Sequence, residues 1–203
     1  MTMVKICGLK EVAHVEAACA AGADFLGFMF APSKRQITVE TAHELAKVVP
    51  AHVKKVGVFV NADAETIRVT ARAVPLDYVQ YHGDETQALI DEIGLPSIKA
   101  YSVHTKEDVE KAAHYNVDYY LFDAPGTDFR GGSGHQFDWS LLEAADISRD
   151  KIILAGGLHT ENIEVAITQV QPFAVDVSSG VETDGVKDNE KIQQFIAAVK
   201  GAK

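Results

Sequence analysis

Several polar side chains stand at or just beyond the ends of short apolar runs, and their types could do acid–base and anion-binding chemistry. Cys7 closes VKIC, Arg35 follows FLGFMF, Gln80 and His82 sit in YVQYHG, Asp123 closes YYLFD, and Asp176 lies within FAVDVSSG. A thiol acts as base or nucleophile only as its thiolate, a few per cent of an unperturbed cysteine at neutral pH. An aspartate serves as a general acid only if its pKa rises from ~3.9 towards neutrality. An arginine fork suits a carboxylate. Each also has a plainer reading. A lone cysteine on an apolar strand is ordinarily a small core residue, a strand-end aspartate can cap a helix, and Arg35 can be a surface charge. The eight histidines are scattered, with no partner for His82 at ligand spacing, so no metal site is expected.

Two glycine-bearing segments could hold phosphate. Gly156 and Gly157 follow the run IILA, and Ser178, Ser179 and Gly180 follow FAVDV. Glycine lets backbone N–H groups approach an anion without an intervening Cβ. GGSG (131–134) is similar and is read as a loop closing over substrate.

These residues need elements to position them. Eight apolar or β-branched runs recur, at 4–9, 25–30, 53–60, 78–83, 97–103, 119–124, 152–158 and 173–180. Most are apolar almost throughout, as in parallel strands covered on both faces. Between them lie stretches of helical spacing. Val12, Val15, Ala18 and Cys19 share a face, and Val39–Ala46 ends before Pro50. Asp63 is placed to cap 64–73, and 85–93 stops at Gly94. Thr105 opens a helix to about Tyr115, and helices are expected over 161–169 and 188–200. Strict alternation of eight strands and eight helices predicts a parallel (β/α)8 barrel formed by one domain over 1–203. The longer connections, 31–38 and 125–137, both follow strands and so fall on the C-terminal face, where barrels carry their active sites. No clear internal repeat stands out.

Composition sets the outer limits. With 47% hydrophobic and 24% charged residues, the 203-residue chain has ordinary globular makeup. Its net charge of −10 argues against a general nucleic-acid binder, though not against an anionic substrate held by local N–H groups. Two cysteines, no signal-peptide pattern and no apolar run of membrane length point to a cytoplasmic protein that binds no membrane. No long apolar helix face stands out, which suggests a monomer.

KICGL (5–9), GFMFAPSKRQI (27–37), VQYHGDE (79–85), LFDA (121–124), GGSGHQFDW (131–139), LAGGL (154–158) and PFAVDVSSGVE (172–182) together resemble the phosphoribosylanthranilate isomerase family, in family order along essentially the whole chain. The resemblance implies an aldose–ketose isomerase of tryptophan biosynthesis that uses no cofactor or metal. Its substrate would be a small molecule, N-(5'-phosphoribosyl)anthranilate, carried through an Amadori rearrangement. It assigns Cys7 as general base, Asp123 as general acid and Arg35 to the anthranilate side. Gln80, His82 and Asp176 would contact or support the substrate, and the two glycine-bearing loops would hold its phosphate. Arg35 is the nearest cation by motif to favour a Cys7 thiolate, and Asp176 is a candidate neighbour to raise Asp123. Gln36 departs from an aromatic residue found there in some relatives and removes any stacking contact. Two other functions fit less well: a related sugar-phosphate Amadori isomerase, which would be expected to carry aspartate in place of Cys7, and a phosphate-binding barrel without catalysis.

Overall fold

The computed structural model describes residues 1–125, 136–144 and 146–202. Eight parallel strands close into a barrel: β1 (Met3–Cys7), β2 (Phe25–Met29), β3 (Lys54–Phe59), β4 (Tyr78–Tyr81), β5 (Ser97–Ser102), β6 (Tyr119–Asp123), β7 (Ile152–Leu154) and β8 (Ala174–Val177). β1 pairs with both β2 and β8, which closes the ring. The helices are α1 (Val12–Ala21), α2 (Val39–Lys47), α3 (Ala64–Ala73), α4 (Gln87–Ile93), α5 (Lys106–Glu110), α6 (Ile163–Val170) and α7 (Asn189–Gly201).

Alternation along each strand divides the apolar residues into two sets. Val4, Ile6, Leu26, Phe28, Phe122 and Leu154 face outward, in the large core shared with the helices. Phe25, Val56, Ile98, Leu121, Ile153 and Ala174 form a separate core inside the barrel. At the N-terminal end this inner core is closed by four rings. Phe25 meets Tyr78 at 5.9 Å and Phe173 at 6.2 Å, while Tyr119 meets Tyr78 at 5.8 Å and stacks on Phe173 at 4.5 Å. Phe25, Tyr78 and Tyr119 open even-numbered strands and Phe173 directly precedes the fourth, the alternate-strand layering expected of such a barrel.

Helix ends follow local chemistry. The Thr38 and Asp63 side chains accept the Thr41 and Thr66 N–H groups at 3.1 and 2.8 Å. α1 ends at Gly22 with φ 97° and α4 at Gly94 with φ 66°. Three helical expectations change. α4 begins at Gln87 rather than Glu85, because the Glu85 carboxylate accepts the Asn61 and Gly83 N–H groups at 2.7 and 2.9 Å, leaving Thr86 to cap. The helix from Thr105 is α-helical only to Glu110 and tightens to a 3₁₀ turn at Lys111–His114. The helical segments described between β6 and β7 are two 3₁₀ turns, Trp139–Ala144 and Arg149–Lys151, and no eighth α-helix occurs among the described residues. The buried face of α1 runs through His14, Val15 and Ala18, rotated so that Val12 is exposed, while Cys19 packs half-buried against the core. The GGSG segment (131–134) lies outside the described residues.

A small hairpin follows β8, with β9 (Glu182–Thr183) antiparallel to β10 (Val186–Lys187). Its turn residues, Asp184 and Gly185, have φ of 51° and 80°. Two successive positive φ values are what a tight two-residue hairpin needs, and Asp-Gly supplies them at low cost.

Candidate active site

The site begins with β1. Lys5 and Cys7, two residues apart, point into the barrel, Cys7 at its upper end. Gly27 on β2 makes room for the thiol: a Cβ there would lie 2.6 Å from Cys7 Sγ. Lys5 is fully buried, and its ammonium stands 3.0 Å from Asp176 Oδ1 of β8, with which Lys5 is in direct register. Burial pushes the Cys7 thiol pKa up, and the Asp176 charge adds to this, while Lys5 and Lys187 pull against it. Lys5 itself is held above its ordinary value: burial disfavours its charge, but Asp176 and then Cys7 more than offset that.

β4 and β6 bring the second group of polar residues. Asp123 is buried at the end of β6, with Oδ2 3.6 Å from His82 Nε2. His82 Nδ1 shares a 3.0 Å hydrogen bond with the Gln80 side-chain amide nitrogen. Gln80, His82 and Asp123 therefore form one chain of polar contacts across neighbouring parts of the wall. Asp176 faces Lys5 instead of Asp123, since β8 is two strands away from β6 and its carboxylate is taken by the ammonium.

Arg35 is buried over the mouth. Its Nε and terminal nitrogen donate to the two Glu182 carboxylate oxygens at 2.6 and 2.9 Å, a bidentate pair. Lys187, opposite Glu182 in the hairpin, reaches the same carboxylate at 2.7 Å and the Ser178 carbonyl at 2.8 Å. The Ser178 hydroxyl in turn donates to the Cys7 carbonyl at 3.0 Å. Burial opposes ionisation of Glu182, but Arg35 and Lys187 hold its pKa low; burial lowers Lys187 despite Glu182. The expectation that Arg35 is the cation beside Cys7 is corrected: its fork is engaged by Glu182, and Lys5 and Lys187 act on the thiol. Arg35 also packs its aliphatic stem on Gly8, where a Cβ would come within 2.5 Å of Arg35 Cδ.

The two glycine-bearing loops meet. Gly156 and Gly157 have φ of 85° and 62°. A Cβ on Gly156 would lie 2.3 Å from the Ala124 nitrogen, and one on Gly180 only 1.9 Å from the Leu158 carbonyl oxygen. Asn162 pins the first loop by donating to the Gly157 carbonyl at 2.9 Å. Among the described residues, the backbone N–H groups of Gly157, Ser179 and Gly180 meet no protein acceptor, so they are available to an anion.

The structure thus brings Cys7, Asp123, Arg35, Gln80, His82, Asp176 and both loops to the C-terminal half of one barrel. Sequence reasoning missed three charged residues that hold them: Lys5, Glu182 and Lys187. Asp184-Gly185 was the available signal for the hairpin that carries the last two. Lys5, a lone cation in a strand otherwise apolar from Val4 to Cys7, was a signal in itself.

Comparison with known proteins agrees. The family described as N-(5'-phosphoribosyl)anthranilate (PRA) isomerase matches residues 4–198. The N-(5'-phosphoribosyl)anthranilate isomerase of Bacillus mycoides is 50% identical over 198 residues, covering 97% of each chain. The crystal structure of phosphoribosyl anthranilate isomerase from Thermotoga maritima superposes with a TM-score of 0.90 at 40% identity, covering 99% of this chain and 100% of that one. A crystal structure of the isomerase in complex with reduced 1-(o-carboxyphenylamino)-1-deoxyribulose 5-phosphate gives 0.87 at 39% identity, with the same coverage.

Proposed function

The chain belongs to the N-(5'-phosphoribosyl)anthranilate isomerase family and is an isomerase; from that membership we propose that it converts N-(5'-phosphoribosyl)anthranilate to 1-(2-carboxyphenylamino)-1-deoxyribulose 5-phosphate in tryptophan biosynthesis, with Asp123 as general acid and Cys7 as general base. Asp123 protonates the furanose ring oxygen, and the ring opens to a Schiff base. Cys7 takes the proton from C2', and the resulting enolamine tautomerises to the ketone. The N–H groups about Gly157, Ser179 and Gly180, with Gly156 and Ser178 shaping the loops, hold the phosphate. Arg35, held by Glu182 through Nε and one terminal nitrogen, turns its other terminal nitrogen to the anthranilate carboxylate, and Gln80 and His82 orient Asp123.

The observation that carries this reading is the pair of groups at the barrel mouth. Cys7 and Asp123 end two strands separated by β7 and β8, so they can approach a sugar from different sides. The two loops that meet at Gly180 and Leu158 stand at the ends of those intervening strands. Because the scheme needs Cys7 deprotonated and Asp123 protonated at once, kcat/KM should follow a bell against pH with one limb set by each group, and burial, which pushes the Cys7 thiol up, moves its limb to the alkaline side.

The test is turnover followed by loss of substrate fluorescence. Cys7→Ala and Asp123→Ala should each reduce kcat by about 10²–10⁴-fold, the usual worth of a general acid or base. Near-normal turnover in either folded variant removes that residue from its role. A purified wild-type protein that binds phosphate but shows no turnover would instead make it a binding barrel.

A further inference from the structure

Lys5 is a fully buried charge that lies beside Cys7 on β1 and for which the acid–base scheme has no use. Around it at the same depth of the barrel stand Val56, Ile98 and Ile153, the branched apolar residues that normally fill such a layer. An ammonium in that place costs desolvation, and a buried ion pair is seldom more stable than apolar packing of the same volume. The cost calls for a return elsewhere.

The geometry gives one. Lys5 Nζ stands 3.0 Å from Asp176 Oδ1, in the fully buried interior where no water competes for its charge. The other acid acting on that ammonium is Cys7, two residues on along the same face of β1. One cation therefore serves two acids. The other charges near Cys7 come from the surrounding elements. β8 contributes Asp176, and the hairpin contributes Lys187 and Glu182. The loop after β2 contributes Arg35, already paired with Glu182. Lys187 is likewise committed to Glu182 and Ser178. Lys5 is the remaining cation, and its charge acts on both Asp176 and Cys7.

We propose that Lys5 is a positioning residue for Cys7, a buried ammonium shared between Asp176 and the thiol that stabilises the thiolate in the pocket floor. Lys5 is fully buried and acts through the sulfur. Asp176 tempers it by drawing on the same charge. This deepens the acid–base reading and rests on it for its meaning in turnover.

The thiolate's own ultraviolet absorption tests the proposal without turnover. Each variant is titrated against the same variant carrying Cys7→Ser, which subtracts Cys19 and the tyrosines. Lys5→Met should move the Cys7 midpoint up by at least about one pH unit, a roughly tenfold loss of thiolate at a fixed pH below the midpoint. Lys5→Arg should restore most of it, and Asp176→Asn should move it down. Circular dichroism checks the fold. If Lys5→Met does not fold, Lys5→Met/Asp176→Asn removes both charges together, and its midpoint should lie above that of Asp176→Asn alone. An unmoved midpoint on loss of Lys5, or an upward shift in Asp176→Asn, overturns the proposal. Neither result touches the role of Cys7 as base, which the turnover of Cys7→Ala decides separately.

Discussion

The two ends of the barrel carry acids of the same kind in opposite states of use. At the N-terminal end, Asp24, Asp77 and Asp118 each directly precede an even-numbered strand and each accept the N–H of a residue on the preceding odd strand. The acceptors meet Val4, Lys55 and Ser97 at 2.8 Å in all three cases. An aromatic residue follows each aspartate and enters the four-ring closure. Each of these three carboxylates is spent on a bond to the neighbouring strand. At the C-terminal end, Asp176 shares its cation with Cys7, and the Gly157, Ser179 and Gly180 N–H groups meet no protein acceptor among the described residues. Satisfied polar groups at one end and spare capacity at the other separate what keeps the fold from what serves the chemistry.

Strand β2 offers the sharpest way to break that separation, because Phe25 and Gly27 share its inward face two residues apart. Phe25 is 4% exposed and touches two rings of the closure. Phe25→Ala should cost about 3–5 kcal/mol of unfolding free energy in urea, while kcat per folded molecule stays within about twofold, well inside one factor of ten or ~1.4 kcal/mol. A kinetic loss as large as the stability loss would show that the bottom of the barrel reaches the site after all.

Gly27→Ala should give the converse result. The new Cβ would press on Cys7 Sγ from 2.6 Å, and the sulfur must shift. A displacement of that order at a reacting group costs about 10²-fold in turnover, or ~2.7 kcal/mol. The expected signature is a fall in kcat with little change in KM for a phosphate held by other strands. Unchanged kcat would mean that the position of the thiol does not limit the reaction.

The strands and the site residues were legible because both depend on residue type at short range. Near-continuous apolar runs marked all eight strands to within a few residues, and Cys7, Asp123 and the glycine pairs stood at their ends. What escaped notice depends on partners far away in the chain. Glu182 reads as one more surface acid until the barrel brings Arg35 to it across 147 residues. Lys5 reads as an oddity until β1 closes on β8. The Asp-aromatic pairs at 24–25, 77–78 and 118–119 form a true repeat, but two residues at unequal spacing are too little to see before the ring geometry shows what they share.

The smallest effect tests the clamp itself. Burial opposes ionisation of Asp77, but the Lys55 N–H and the Lys55 and Lys54 ammonium groups hold its pKa below the usual value. A carboxylate depressed on folding adds stability above its unfolded pKa of ~3.9 and loses it as pH falls through the folded value. Asp77→Asn keeps an acceptor for the Lys55 N–H and removes the charge. It should therefore cost about 1 kcal/mol at neutral pH, with kcat and KM unchanged. The gap from wild type should narrow as the pH drops below about 4. Chemical unfolding across that range measures it. A gap that stays constant into acid would assign the loss to altered hydrogen-bond geometry rather than charge, and a change in kcat would erase the distinction between the two ends of the barrel.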